Sequence, residues 1–308
     1  MGGGTDVIDI RSAVQGEPTV VETSYGPVSV LVCGDRGKPA CVTYHEVGVN
    51  SRTCFHGIIA ASDPKRSALV GSFCFYHFDY PGCEVPRVVA GAPALSLDDA
   101  GRQVGEAMKI LGIGQALGLG VGAGAYVLCR ASLSFPSAFA GLALFSPCCR
   151  RPNWTEYAFG QAAVGCLALY GWRSRLVKGH IYQRLFSARI SAHSAEYVSE
   201  LLYTFDKEVE KIDPRAVRSY LSATVRRGDL RGDVKYKPGL GCQCLLFACL
   251  ESIYKEESLE LNFLLDPERS DYMEVFECGT LVTEEKPQET LAPLDQFVRL
   301  LQQRGLCR

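Results

Sequence analysis

Gly120-Val121-Gly122-Ala123-Gly124 closes an apolar run and leads directly into helix-forming residues. In that context G-x-S-x-G is a nucleophile elbow, a sharp strand-to-helix turn that presents a serine hydroxyl to a carbonyl carbon. The flanking glycines fit, because such a turn is strained and packs close against neighbouring chain. The central position holds Gly122, which has no side chain to attack with. The stretch therefore predicts the frame of an acyl-transfer site without its nucleophile.

An acyl-transfer site also needs an acid and then a histidine, in that chain order after the nucleophile. The five histidines are His45, His56, His77, His180 and His193, so none lies near the C-terminal end. Without a general base, a serine or cysteine elsewhere stays near its resting protonation state and reacts slowly. A rival pattern, G-x-G-x-x-G/A over Gly118–Ala123, is the dinucleotide fingerprint. It belongs on a first strand and needs a ribose-binding acid roughly 20 residues later. Here no Asp or Glu falls between Glu106 and Glu156, so no nucleotide cofactor is expected.

His45, Glu46 and Gly48 follow a strand-like run, Ala40–Tyr44, where this architecture sets an oxyanion-hole loop. They could be the remnant of a pocket that anchors a small ligand, or a hydrogen-bonded network that fixes the loop, since buried polar groups need partners in either case. His77, inside the aromatic run Phe73–Phe78, reads as a core histidine, and Asp79-Tyr80-Pro81-Gly82 as a structural turn.

Composition narrows the function classes. Hydrophobic residues make up 47% and charged residues 21%, ordinary for a globular chain of 308 residues. With 32 basic and 34 acidic residues the net charge is -2, so nucleic acid is not expected as a partner. The fourteen cysteines are scattered, the closest spacings being Cys148-Cys149 and Cys242-Gln243-Cys244. These match neither a zinc site nor a disulfide scaffold, so the thiols are expected to be reduced, mostly buried, and free of metal. No apolar run resembles a signal peptide or a membrane span. Asp6 breaks the myristoylation pattern, and Asn153-Trp154-Thr155 reads as a chance sequon. A cytoplasmic location is the expectation.

Stepping along the chain, residues 1–18 are Gly-rich and read as a flexible arm. Strands at Thr19–Ser24, Val28–Val32 and Ala40–Tyr44 are too closely spaced for parallel crossovers and predict antiparallel pairing. Strand Phe73–Phe78 precedes a helix opening at the capping box Ser96-Leu97-Asp98-Asp99, with Ala100, Val104, Ala107, Met108 and Leu111 on one face. Strands at Ala116–Val121, Phe139–Phe145, Cys244–Cys249 and Met273–Phe276 alternate with helices. This predicts an α/β class with a mostly parallel sheet flanked by helices. Residues 151–232 break the rhythm with helices at Thr155–Tyr170, Ala195–Lys211 and Pro214–Thr224, a helical cap inserted between core segments 19–150 and 233–308. In Ala195–Ile212, Glu200, Asp206, Glu208 and Glu210 accompany Leu201, Leu202 and Phe205, which suits either plain amphipathic packing or a partner helix. Arg173–Arg175 and Arg226-Arg227 with Arg231 read as a solvated face or as a patch for an acidic partner.

Longer stretches carry a family resemblance. They are Tyr44-His-Glu-Val-Gly-Val-Asn50 with Cys54, Tyr76-His-Phe-Asp-Tyr-Pro-Gly82, Gly122-Ala-Gly-Ala-Tyr126, Ser146-Pro-Cys-Cys149 with Pro152-Asn-Trp-Thr-Glu156, and Cys278-Gly-Thr-Leu-Val-Thr-Glu-Glu-Lys-Pro287. On them the chain resembles the N-Myc downstream-regulated (NDR) family, nearer its plant N-Myc downregulated-like (NDL) branch. The resemblance implies an α/β-hydrolase fold without hydrolase activity, a pseudoenzyme. It places Thr280 at the histidine position and Ser252 near the acid position, with Glu251 able to take that slot by a one-residue shift. It also implies a signalling adaptor acting through protein partners in differentiation and stress responses, in plants through the G-protein βγ dimer and auxin transport. The alternatives are a small-molecule receptor using the cap/core cleft and an enzyme with a relocated site.

Overall fold

The computed structural model describes residues 14–62, 67–89, 91, 93–191, 196–236 and 239–305. Expectations placed on residues 1–13, on His193 and on the side chains of Glu200 and Leu201 fall outside these described residues. Eight strands form one sheet in the order β1-β2-β4-β3-β5-β6-β7-β8. They are β1 Glu17–Thr23, β2 Gly26–Cys33, β3 Ala40–Tyr44, β4 Cys74–Phe78, β5 Ala116–Val121, β6 Phe139–Phe145, β7 Gln243–Cys249 and β8 Ser270–Val275.

The antiparallel reading of the first strands holds for β1 and β2 and needs correction at β3. β2 pairs antiparallel with β4, while β3 pairs parallel with β4 and β5. Helices α1 (Ser51–Ala61) and α2 (Ala68–Ser72) supply the crossover that brings β4 back beside β3. Helix α1 is missing from the sequence reading because its start is atypical. Asn50 caps the Thr53 N–H at 3.0 Å, and the Thr53 hydroxyl accepts from the Asn50 N–H at 3.0 Å. This is a capping box with Thr where Glu or Gln usually signals one. The remaining strands run parallel, and every residue of β3, β4, β5 and β6 is buried, as a sheet covered on both faces requires.

On the faces lie α3 (Leu97–Ile110) and α4 (Ala123–Ser134). Ser96 caps α3 by accepting from Asp99 N–H at 3.1 Å, and Leu97, Ala100, Val104, Ala107 and Met108 form its buried side. Between β6 and β7 the described residues are all helix or connection. These helices are α5 (Trp154–Tyr170), α6 (Arg175–Leu185), α7 (Ala188–Ser191), α8 (Glu196–Val209), α9 (Pro214–Thr224) and α10 (Arg231–Tyr236). After β7 come α11 (Lys255–Leu264), α12 (Val282–Glu285) and α13 (Pro287–Gln303). The described cysteines are free, and all but Cys33 and Cys166 are buried. Among the described residues no helix is long and apolar enough to cross a membrane.

Candidate functional site

At the carboxyl end of β5 the chain turns into α4 through Gly122, whose φ of 55° and ψ of -113° suit glycine far better than any residue with a Cβ. The Gly122 N–H is held by Phe145 O at 2.9 Å. Gly124 lies so close to the carbonyls of Tyr44 and His45 that a Cβ there would overlap them. The first turn of α4 is thereby wedged beneath the β3–α1 loop.

Glu46 comes from that loop and is fully buried. Its Oε1 accepts from the Val47 N–H at 2.8 Å and its Oε2 from the Ala123 N–H at 2.5 Å. One donor follows the elbow position and the other belongs to the β3–α1 loop. In hydrolases of this arrangement such donors face the oxygen that becomes charged during acyl transfer. Here a side-chain carboxylate spans them in the resting protein. A Cβ built on Gly122 would overlap Glu46 Oε2, so carboxylate and nucleophile side chain compete for one space.

The counter-charge comes from α6. Arg184 Nη2 is 3.3 Å from Glu46 Oε1 and also donates to the Tyr254 hydroxyl. The Tyr254 ring lies 5.4 Å from the Arg184 guanidinium and 5.5 Å from that of Arg227. Arg227 in turn pairs with Glu257 at 2.8 Å and with Glu156 at 2.7 Å. A buried chain of charge thus joins residues 151–232 to the β3–α1 loop and to α11. Pairs of this kind add little over well-packed apolar side chains, but removing one partner strands the other charge.

His45 fixes the loop. Its Nε2 accepts from the Tyr80 N–H at 2.9 Å, which leaves Nδ1–H to donate to Glu46 O at 2.8 Å. Burial pushes the His45 pKa down to about 4, so the ring is neutral near pH 7. Asp79 lies 3.5 Å from His45 Nε2 and accepts from the Ser51 N–H at 2.6 Å; burial pushes its carboxyl up to about 6. Tyr220 of α9 donates its hydroxyl to His45 O at 2.7 Å. Gly48 has φ 88°, and Ile181 of α6 fills the space where its Cβ would stand. His77 is a core side chain, bonded to Thr43 Oγ1 at 2.7 Å and pushed down to about 3 by burial.

Across the elbow, Ser252 and Thr280 meet hydroxyl to hydroxyl at 2.8 Å, both buried. Thr280 Cγ2 is the neighbour that a Cβ on Gly122 would meet at 3.1 Å. The structure therefore brings Gly122, Thr280 and Ser252 together in that order. Glu251 takes another course, accepting from the Ala188 N–H at 2.8 Å. Glu285 pins the Thr280 loop by accepting from the Gly279 N–H at 3.0 Å and the Ser187 N–H at 3.1 Å. Two neutral hydroxyls can hold each other in place, but neither can draw a proton from a nucleophile at pH 7. Sequence reasoning missed Arg184, Tyr254, Arg227 and Glu257 as parts of this site. In the sequence Arg227 reads as part of a solvated basic cluster with Arg226 and Arg231, whereas it is buried.

Among the described residues no three His, Cys, Asp or Glu are grouped to hold a metal ion. A groove of about 580 Å³ opens between the start of α3 and helices α5 and α9, lined by Leu95, Asp98, Val164, Ala168, Arg218 and Ser222. Gly122, Thr280 and Glu46 are not part of its lining.

Comparison with known proteins follows the same lines. The sequence model of the Ndr family matches residues 18–305. The chain is 31% identical over 286 residues to the pollen-specific protein SF21 of Helianthus annuus, covering 92% of this chain and 80% of that one. It is 32% identical to protein NDL3 of Arabidopsis thaliana, covering 90% and 79%. In fold it is similar to a thermophilic esterase from Thermogutta terrifontis, with a TM-score of 0.74 at 14% identity over 93% of this chain and 99% of that one. The architecture is that of the α/β-hydrolases.

Proposed function

The chain belongs to the Ndr family, and from that premise we propose that it is a non-catalytic signalling adaptor built on the α/β-hydrolase fold. The observation that carries this reading is the Glu46 carboxylate bound across the Val47 and Ala123 N–H groups, over an elbow that is Gly122. A hydrolase keeps those donors for charge that develops only in the transition state. Here they hold a side-chain carboxyl group in the ground state, with Thr280 and Ser252 standing at the former base and acid positions. What remains is a platform whose helical cap is tied by buried ion pairs to the β3–α1 loop and to α11. The family resemblance points to protein partners, with the G-protein βγ dimer foremost, and to work in the cytoplasm.

Two arms of one experiment test the reading. The purified chain should leave short-chain nitrophenyl esters at the buffer rate while binding a purified βγ dimer saturably at micromolar concentration. Ester turnover by the native protein would contradict the non-catalytic half, and absence of a complex would contradict the choice of partner.

The groove of about 580 Å³ favours a second reading, a receptor for a small ligand, since its size suits one. A ligand bound there would raise the melting temperature, and Val164→Trp should abolish that rise. A screen without any shift would remove this alternative.

A further inference from the structure

Beyond Glu156, which pairs with Arg227, α5 carries no charged side chain. From Tyr157 to Trp172 no side chain is ionisable as an acid or base of the charged classes, yet only Gly160, Ala163 and Leu167 of the helix are buried. Trp154, Ala158, Ala162, Gly165 and Leu169 recur at spacings of three and four, and all are exposed. Relative exposures reach 79% for Trp154, 70% for Phe159, 76% for Leu169 and 77% for Leu176 at the start of α6. A helix apolar on every side is ordinarily buried. This one stands on the surface.

Exposed arginines surround it. Arg218 and Arg226 line a groove with Val164, Gly165 and Ala168, and Arg173 and Arg175 line another with Tyr170 and Trp172. Arg151 precedes the helix. All five guanidinium groups are exposed; Arg151 helps to hold the Asp229 carboxyl below its usual range, and the other four make no ion pair among the described residues. The nearby acids are already paired: Glu156 with Arg227, Glu210 with Lys178, Asp213 with Arg87 and Arg215, and Asp229 with Arg231. The local surplus is positive although the chain as a whole carries -2.

We propose that α5 and the start of α6 form a docking face for an anionic phospholipid bilayer, which the chain meets without spanning. Charge complementarity selects the negative surface, and aromatic rings such as Trp154, Tyr157 and Tyr170 suit the headgroup boundary. Shape separates this occupant from a peptide. A peptide helix seats in a walled groove, whereas Trp154, Phe159, Leu169 and Leu176 line neither groove and stand exposed, as insertion below headgroups requires. The proposal is independent of the non-catalytic reading, because none of these residues touches Gly122, Glu46, Ser252 or Thr280.

The test is co-sedimentation of the full chain with vesicles of phosphatidylcholine alone or mixed with phosphatidylserine. Binding is expected on the anionic vesicles only, weakening as salt is raised. The pairs Phe159→Ser/Leu169→Ser and Arg173→Glu/Arg175→Glu should each lower partitioning by about tenfold or more. Both lie on the surface, and unchanged circular dichroism and melting confirm that they fold. No partitioning, equal partitioning on neutral vesicles, or indifference to both pairs would overturn the proposal. So would competition by soluble glycerophosphoserine at matched concentration. A self-association that the α5 pair dissolves, with no lipid binding, would assign the face to a second copy.

Discussion

The two sides of the elbow have moved in opposite directions. On the oxyanion side a fixed negative charge has been added: Glu46 bridges Val47 and Ala123 and is faced by Arg184 at 3.3 Å. On the Thr280 side two neutral hydroxyls, those of Ser252 and Thr280, meet at 2.8 Å. A working hydrolase has the reverse polarity, an uncharged anion hole and an ionised acid beside histidine. The contrast is between an ion pair on one side of the turn and a pair of neutral hydroxyls on the other.

The largest effect should come from the charged side. Glu46→Gln leaves Arg184 buried without its anion and should cost about 3–5 kcal/mol of unfolding free energy, measured by urea titration. A loss below about 1 kcal/mol would mean that the two sides do not differ as described. Gly122→Ala should cost roughly 2–4 kcal/mol, from backbone strain at φ 55° and from collision with Glu46. In a Glu46→Gly background that cost should shrink, because the collision is gone, giving a coupling of about 1 kcal/mol or more.

A pH series sharpens the same contrast. Burial holds His45 at about 4, below its ordinary 6.5, so the unfolded chain takes up a proton that the folded one refuses. The stability tied to this group is full above 6.5 and is lost as pH falls towards 4, at up to about 1.4 kcal/mol per unit. Asp79, pushed up to about 6 from 3.8, acts with the opposite sign between those values. The stability gap between the native protein and His45→Phe should therefore narrow between pH 7 and 5.5. A gap constant with pH would contradict a neutral His45. The smallest effect belongs to the uncharged side, where Thr280→Val removes one hydroxyl contact and should cost about 1 kcal/mol. Ser252 keeps its bond from the Tyr254 N–H at 3.1 Å.

Much of this was legible in local sequence. The strand-to-helix turn at Gly120–Gly124 follows from an apolar run, glycine spacing and helix-forming residues, and the structure has β5, Gly122 and α4 in that order. The Ser96 cap and the burial of β5 and β6 follow from patterns a few residues long. What escaped was long-range. The place of β3 between β4 and β5 depends on the α1–α2 crossover, and α1 carried an unusual cap. The partner of Glu46 lies 138 residues away on α6, and no periodicity connects the two. Glu46 was marked as a remnant of an oxyanion loop, and the structure gives its carboxylate a definite place there.

The most direct test restores the three side chains a hydrolase would need, Gly122→Ser, Ser252→Asp and Thr280→His, once with Glu46 retained and once with Glu46→Gly. Folding of both is checked by circular dichroism, and acylation by nitrophenyl acetate is followed as a burst. A burst only in the Glu46→Gly background is the predicted result, because only there is the anion site free. An equal burst with Glu46 in place would contradict the claim that its carboxylate closes the site.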